Sequence, residues 1–545
     1  MRGLMSDRPL LVSMLIEHAA HFHGDTGIVS RLPDGATHRY TYSDAEGRAR
    51  CLARALQRLG IVPGDRIGTL AWNTYRHFEL YYGVSGLGAV CHTINPRLSD
   101  DQFVYIVNHA QDQLLFIDPS FLPLVERLQP QLPADCRYIL LEPAETALPV
   151  VATYDDLVAA ENDDGFAWPQ FDEGTAAALC YTSGTTGRPK GALYTHRSTV
   201  LHAFALALPD ATAMSARDVV CPVVPMFHVN AWGVPYAAAM TGAKLVLPGP
   251  HVDGASLYSL FEAEGVTLSL GVPTVWLGFE KHLSAAGARC STLRRILSGG
   301  SAPPPALIEA LENRHGITVI QGWGMTEMSP LGTVAVPKHK HLALDPSEQL
   351  ALKARAGRGI FGVEMKIVDD NRNELPRDGK SVGELLVRGP WIASGYFNDD
   401  EASAAAVEPD GWFHTGDVAA IDPDGFLRLT DRRKDIIKSG GEWISSIDLE
   451  NAAMAHGDVG EAAAIAVPHP RWGERPLLIV TPRDGRNPGR DALIAFLGER
   501  FPRWMLPDDV LVVAEMPHTG TGKILKTRLR ELYGSRKPTG SGDRQ

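Results

Sequence analysis

Tyr181-Thr-Ser-Gly-Thr-Thr-Gly-Arg-Pro-Lys-Gly191 follows directly on the apolar run 176–180. The run reads as a buried strand. The loop after it carries hydroxyls on Thr182, Ser183, Thr185 and Thr186, and glycines at 184, 187 and 191. Glycine lets backbone N–H groups approach an anion closely. Lys190 and Arg188 add positive charge. Hydroxyls, bare N–H groups and a cation together suit a polyphosphate. The GxxxxGK[ST] spacing of a P-loop is absent, so this is a phosphate loop of another kind.

Working outward, the first 170 residues alternate helix-like and strand-like segments. Residues 43–59 read as an amphipathic helix with Ala45, Ala49, Leu52, Ala53, Leu56 and Leu59 on one face, ended by Gly60. Strands are predicted at 66–72 and 90–94, with a helix at 78–88 between them. The same rhythm resumes after the loop, with strands at 244–247, 267–270, 293–297 and 318–321. This βα alternation predicts mostly parallel sheets covered by helices. After about residue 364 short strands with Gly, Pro and Asp turns predict a small antiparallel sheet or barrel. Asp431-Arg-Arg-Lys-Asp435 is dense in charge and reads as a linker. The expected architecture is therefore α/β: an N-terminal domain (1–433) of parallel-rich subdomains plus a small β-barrel, then a mobile α+β domain (434–534). A disordered tail, 535–545, completes it.

Composition narrows the function classes. The chain has 545 residues, long enough for several cores. Its net charge of −12 argues against a dedicated nucleic-acid binder. From Val219 to Ala243 it carries no Lys, Arg, Asp or Glu, long enough to span a bilayer. Pro222, Pro225 and Pro235, with His228 and Asn230, argue instead for a buried strand, a loop and a helix start. No other segment competes for a membrane span, and the N-terminus lacks the apolar core of a signal peptide. A cytoplasmic protein is expected. The six cysteines have no CxxC pair, so a zinc site or compact disulfide framework is not expected.

Five segments together resemble the adenylate-forming superfamily, which holds acyl-CoA synthetases, luciferases and peptide-synthetase adenylation domains. They are the loop at 181–191, Gly322-Trp-Gly-Met-Thr-Glu327, Thr415-Gly-Asp417, the 431–438 segment as a hinge, and Pro517-His-Thr-Gly-Thr-Gly-Lys523. Val224-Pro-Met-Phe-His-Val-Asn-Ala-Trp232, Ser439-Gly-Gly-Glu-Trp-Ile-Ser-Ser446 and His92-Thr-Ile-Asn-Pro-Arg97 resemble the medium- and long-chain fatty acyl-CoA synthetase branch. Enzymes acting on methylthiopropionate or on aryl acids of the cinnamic type share much of this pattern. A luciferase-like monooxygenase would use the same adenylate.

The resemblance implies an AMP-forming ligase for ATP, CoA and a carboxylic acid, with Mg²⁺. Thr182, Ser183, Gly184, Thr185, Thr186 and Lys190 would cradle the β- and γ-phosphates. Thr326 would bond the α-phosphate, and Glu327 with Thr182 would hold the metal, which favours few carboxylates plus phosphate and water. Trp323 between Gly322 and Gly324, with Gly300, Ser301 and Ala302, would receive adenine. Asp417 and Arg432 would take the ribose. Lys523 would bridge the carboxylate and the α-phosphate. Lys434 would be the hinge. Lys438, Ser439, Gly440, Gly441 and Trp443 would face CoA, the glycines leaving room for pantetheine. His228, Gly324 and Trp232 would line the acid, with Trp232 gating its channel. The N-terminal region also resembles relatives that form homodimers.

Overall fold

The computed structural model describes residues 1, 3–182, 188–432, 435–440, 442–483, 485–486, 488–518 and 524–536. The expectations for Ser183, Gly184, Thr185, Thr186, Lys434, Gly441, the Trp443 side chain, Lys523 and the tail from 537 lie outside the described residues.

Helix Tyr42–Arg58 shows how the alternation is built. Its first turn is closed by a reciprocal cap: the Thr41 hydroxyl accepts from Asp44 N–H, and the Asp44 carboxylate accepts from Thr41 N–H. Ala45, Ala49, Leu52, Ala53 and Leu56 are all buried, as their spacing predicts. Gly60, at φ +80°, then reverses the chain. The next helix, Tyr75–Gly86, is buried on every side and starts three residues before its predicted boundary. A helix without a polar face has no sharp period to read.

The first sheet has seven strands, in the order Val150–Thr153, Arg137–Leu140, Leu114–Ile117, Arg66–Leu70, Val90–Thr93, Ala176–Tyr181 and Gly191–Thr195. All its pairings are parallel except the last, in which Tyr181 faces Gly191. The phosphate loop is thus the connection of an antiparallel hairpin. In the middle of the sheet, His92 Nδ1 lies 2.8 Å from Asp112, both side chains fully buried.

The second sheet has thirteen strands. Thr37–Thr41, Gly27–Arg31, Lys244–Leu247, Val219–Pro222, Leu268–Gly271, Arg295–Ser298 and Thr318–Gly324 form one part, parallel apart from the edge strand Thr37–Thr41. The other part is antiparallel: Leu331–Val334, Gly357–Gly359, Phe426–Arg432, Phe413–Ile421, Gly383–Arg388 and Glu364–Val368. The antiparallel unit expected after residue 364 is therefore present, and it continues the α/β sheet strand to strand. Thr318–Gly324 is the joint, parallel to one neighbour and antiparallel to the other.

The charge-free run divides into strand Val219–Pro222, a short turn, and helix Val234–Thr241. Among the described residues no helix is long and apolar enough to cross a membrane. The third, C-terminal sheet is small, with Val459–His469 and Gly473–Pro482 as its long hairpin. Helices Ser446–Met454, Arg490–Gly498 and Lys526–Tyr533 accompany it.

The expected charged linker needs correction. Asp431 and Arg432 end the strand Phe426–Arg432, and Asp431 is buried. Its carboxylate accepts from Ser446 N–H at 2.7 Å, at the start of helix Ser446–Met454. Asp435 is also buried and pairs with Arg530. These charges are satisfied inside the fold, not by solvent.

Candidate active site

Trp323 ends the parallel half of the second sheet, and its indole Nε1 donates to Asp417 Oδ2 at 3.1 Å. Asp417 sits on Phe413–Ile421, directly opposite Arg432 in register. Arg432 Nε meets the other carboxylate oxygen at 2.7 Å. Gly416, at φ +70°, turns the backbone so that the Thr415 hydroxyl accepts from Asp417 N–H. A flat aromatic face, a buried carboxylate and a half-exposed guanidinium are thus locked into one unit. Such a unit can stack a base and accept from vicinal hydroxyls.

Glu327 lies in the short turn Thr326–Met328 and is buried. Its carboxylate accepts from the Tyr396 hydroxyl at 2.7 Å. Burial pushes its carboxyl above the usual range; Tyr396 pulls it back, as do the charges of Arg432 and Lys190. Lys190 Nζ stands 4.9 Å from the centre of the Tyr396 ring. Tyr396 is brought there because Phe397 N–H donates to the Gly191 carbonyl at 2.8 Å. Thr182 N–H donates to the Lys190 carbonyl at 2.9 Å, closing the base of the phosphate loop. Thr326 is fixed through its carbonyl, which accepts from the buried Tyr194 hydroxyl at 2.6 Å.

Gly324 separates Trp323 from this turn. A Cβ there would lie 1.7 Å from the Pro330 carbonyl oxygen, so only glycine fits. Trp232 packs on Gly299, where an added Cβ would fall 3.0 Å from the indole and 3.2 Å from the Gly322 carbonyl. His228 precedes the same turn and is partly buried. Gly300, Ser301 and Ala302, which follow Gly299, are exposed.

The C-terminal residues are placed differently. Ser439 Oγ accepts from Arg475 at 3.2 Å, Lys438 N–H donates to Glu474 at 2.8 Å, and Gly440 N–H donates to the Trp472 carbonyl. The space a side chain on Gly440 would enter is filled by Trp472, 2.7 Å from that point. In this arrangement the glycine makes room for an indole of this chain. Lys523 lies outside the described residues; His518 and Ile524, on either side of it in sequence, pair with each other.

Residues 16–397 match the AMP-binding enzyme family, and residues 448–523 match the AMP-binding enzyme C-terminal domain. The chain belongs to the AMP-binding enzymes. It is 50% identical to a 3-methylmercaptopropionyl-CoA ligase of Ruegeria lacuscaerulensis, over 98% of this chain and 99% of that one. It is 48% identical to a medium-chain-fatty-acid–CoA ligase of Ectopseudomonas oleovorans, over 98% of each. In fold it is similar to an anthranilate CoA ligase solved in complex with anthranoyl-AMP, with a TM-score of 0.86, 24% identity, and 97% and 99% of the two chains covered.

In this AMP-binding enzyme Trp323, Asp417 and Arg432 meet from the second sheet, and Glu327, Tyr396 and Lys190 link that sheet to the hairpin of the first. Two partners carry no motif signal, Tyr396 on Glu327 and Tyr194 on Thr326; Asn230 lies inside the 224–232 segment and is buried within the Trp232 turn, but nothing in that segment signals its contacts. Thr415 was visible within Thr-Gly-Asp, but its role as a backbone acceptor was not. Among the described residues no group of three or more His, Cys, Asp or Glu could hold a metal by itself. A single buried carboxylate beside a phosphate loop instead suits an ion that arrives with phosphate and keeps its waters.

Proposed function

We propose that this AMP-binding enzyme is an AMP-forming acyl-CoA ligase. A carboxylate attacks the α-phosphorus of ATP and pyrophosphate leaves. The CoA thiol then attacks the acyl carbon, forming the thioester and releasing AMP. The observation that carries the reading is the similarity, near half identity over almost the full chain, to two CoA ligases named for different acids. The site's chemistry agrees, because phosphoryl transfer of this kind needs positioning and charge neutralisation more than a protein nucleophile.

Trp323 takes the adenine face, and Asp417 with Arg432 takes the ribose hydroxyls. Thr182, Lys190 and the loop between them take the terminal phosphates. Thr326 bonds the α-phosphate. Glu327 and Thr182 are the residues that would hold Mg²⁺, which supplies charge neutralisation on the phosphates. Lys523 stabilises charge as the carboxylate meets the α-phosphorus. Lys438, Ser439, Gly440, Gly441 and Trp443 serve the CoA step after the C-terminal unit, divided from the N-terminal one at 433/434, turns about Lys434.

The acid is a medium- or long-chain fatty acid, consistent with the apolar wall formed by the charge-free run around His228 and Trp232. The Ruegeria relative favours a second reading, 3-methylmercaptopropionate. A cytoplasmic location agrees with six free cysteines, five of them buried. A homodimer is the expected assembly, checked by light scattering. The decisive experiment is AMP release with CoA across acetate to palmitate, 3-methylmercaptopropionate and cinnamate. Turnover peaking on a fatty acid supports the first reading, and a peak on 3-methylmercaptopropionate selects the second. No CoA-dependent release on any acid refutes both.

A further inference from the structure

Val229, Asn230, Ala231 and Trp232 have φ of +46°, +50°, +50° and +57°, and Gly233 follows at +77°. With ψ of 46° at Asn230 and 39° at Ala231, this is one turn of left-handed helix. L-residues enter that region singly and at a cost, and a β-branched valine there is an outlier. Four in succession persist only where the surroundings over-determine them, and such strain clusters at functional sites.

The surroundings are on hand. Ahead of the turn, Asn73 donates to the carbonyls of Pro222 and Val224 and accepts from Met226 N–H. Behind it, Gly233 is held against His202, whose Nδ1 lies 2.6 Å from where a Cβ would stand. Within it, the Asn230 side chain supplies the fastening. Its Oδ1 accepts from Thr93 Oγ1 and from Cys180 Sγ, both at 3.3 Å. Thr93 and Cys180 are register partners on adjacent strands of the first sheet, and Cys180 stands two residues before Thr182. Asn230 is buried and, unlike valine, alanine and tryptophan, tolerates left-handed φ. At the far end of the turn, Trp232 lies on Gly299.

We infer that Asn230 is a positioning residue: it pins the left-handed turn to the strand that delivers the phosphate loop, sets the indole of Trp232 at the acid pocket, and so helps determine acyl-chain preference. This rests on the acyl-CoA ligase reading and on Trp232 facing the acid. A right-handed turn at 229–232 would carry the indole away from Gly299.

The test compares kcat/KM for straight-chain acids from butanoate to dodecanoate in wild type, Asn230→Ala, Asn230→Gly, Trp232→Ala and the Asn230→Ala/Trp232→Ala double variant. Asn230→Gly removes the side chain and its acceptor while taking left-handed φ without strain, so it is the variant expected to fold where Asn230→Ala does not. Both Asn230 variants are expected to shift the butanoate-to-dodecanoate ratio by about tenfold or more, in the direction of Trp232→Ala. KM for ATP should stay within roughly threefold, and the double variant should go no further than the larger single one. A lowered Tm with an unchanged ratio, or a double variant equal to the product of the singles, overturns the inference. Crystal structures of wild type and Asn230→Gly provide a readout free of activity: an indole unmoved from Gly299 in the variant also overturns it. A wild type that turns over no carboxylate with CoA refutes the ligase reading, and the crystallographic comparison still decides the positioning.

Discussion

Replacing Gly324 with alanine places a methyl carbon 1.7 Å from the carbonyl oxygen of Pro330, 2.8 Å from its carbonyl carbon and 3.2 Å from Gly332 N. All three atoms are backbone, so no rotamer relieves the clash. That oxygen is also engaged, accepting from Met325 N–H at 3.1 Å. Even a contact at the tight limit of 3.0 Å requires the two segments to part by roughly 1.3 Å. The movement falls between Trp323 and the Thr326–Glu327 turn, so base platform and metal-side carboxylate come out of register. A misplacement of about 1 Å costs on the order of 100-fold in rate, roughly 2.7 kcal/mol in the barrier. ATP–pyrophosphate exchange should therefore fall about 100-fold, with a lower Tm from overpacking of about 1–3 kcal/mol. Gly278→Ala is the matched control: it is exposed within helix Pro273–Ala286, with nothing within 4 Å of its added methyl. It should gain about 0.5–1 kcal/mol of stability and leave exchange unchanged. Exchange in Gly324→Ala within about threefold of wild type would refute the reasoning.

Asp417→Asn removes the charge that holds Arg432 and exchanges one of the two expected ribose acceptors for a donor; at about 1.5–3 kcal/mol for hydrogen bonds to a charged group, KM for ATP should rise between about tenfold and 100-fold. AMP inhibition should weaken by a similar factor, and a change below about threefold in both counts against the ribose role. Tyr396→Phe deletes a hydrogen bond to the ionised form of Glu327, so burial acts unopposed by it and the carboxyl titrates higher. The acid limb of kcat/KM for ATP should move to higher pH, and an unmoved limb means Glu327 does not set it. Lys523→Ala should abolish acyl-adenylate formation while sparing much of the conversion of supplied acyl-AMP to thioester; equal loss of both half-reactions refutes its assignment.

Strands such as Lys244–Leu247 and Gly383–Arg388 were legible to the residue because turn formers bracket a short apolar run. The helix stop at Gly60 was legible for a related reason, since it states a backbone demand locally. The two tyrosines could not be read this way. Tyr396 stands 69 residues from Glu327, and Tyr194 stands 132 from Thr326, and neither lies in a patterned segment. The left-handed turn runs against its own sequence: valine, alanine and tryptophan disfavour it, and only tertiary contacts impose it. Asp431 misled in the opposite sense, because charge density reads as solvated surface until a buried partner such as Ser446 N–H is seen.

The strand Thr318–Gly324 divides labour as well as topology. The proposed ribose pair, Asp417 and Arg432, lies on the antiparallel strands beyond it. Trp232 and the 299–302 rim belong to the parallel half before it, fastened to the first sheet through Asn230. A substitution in the turn at 229–232 is thus separated by a full strand from the proposed ribose pair, but not from the 299–302 rim. Inheritance can then act on the two halves at different rates. The acid specificity of such a chain can drift among descendants while its nucleotide chemistry is kept intact, and a breeder of new ligases could confine a library to one side of that strand.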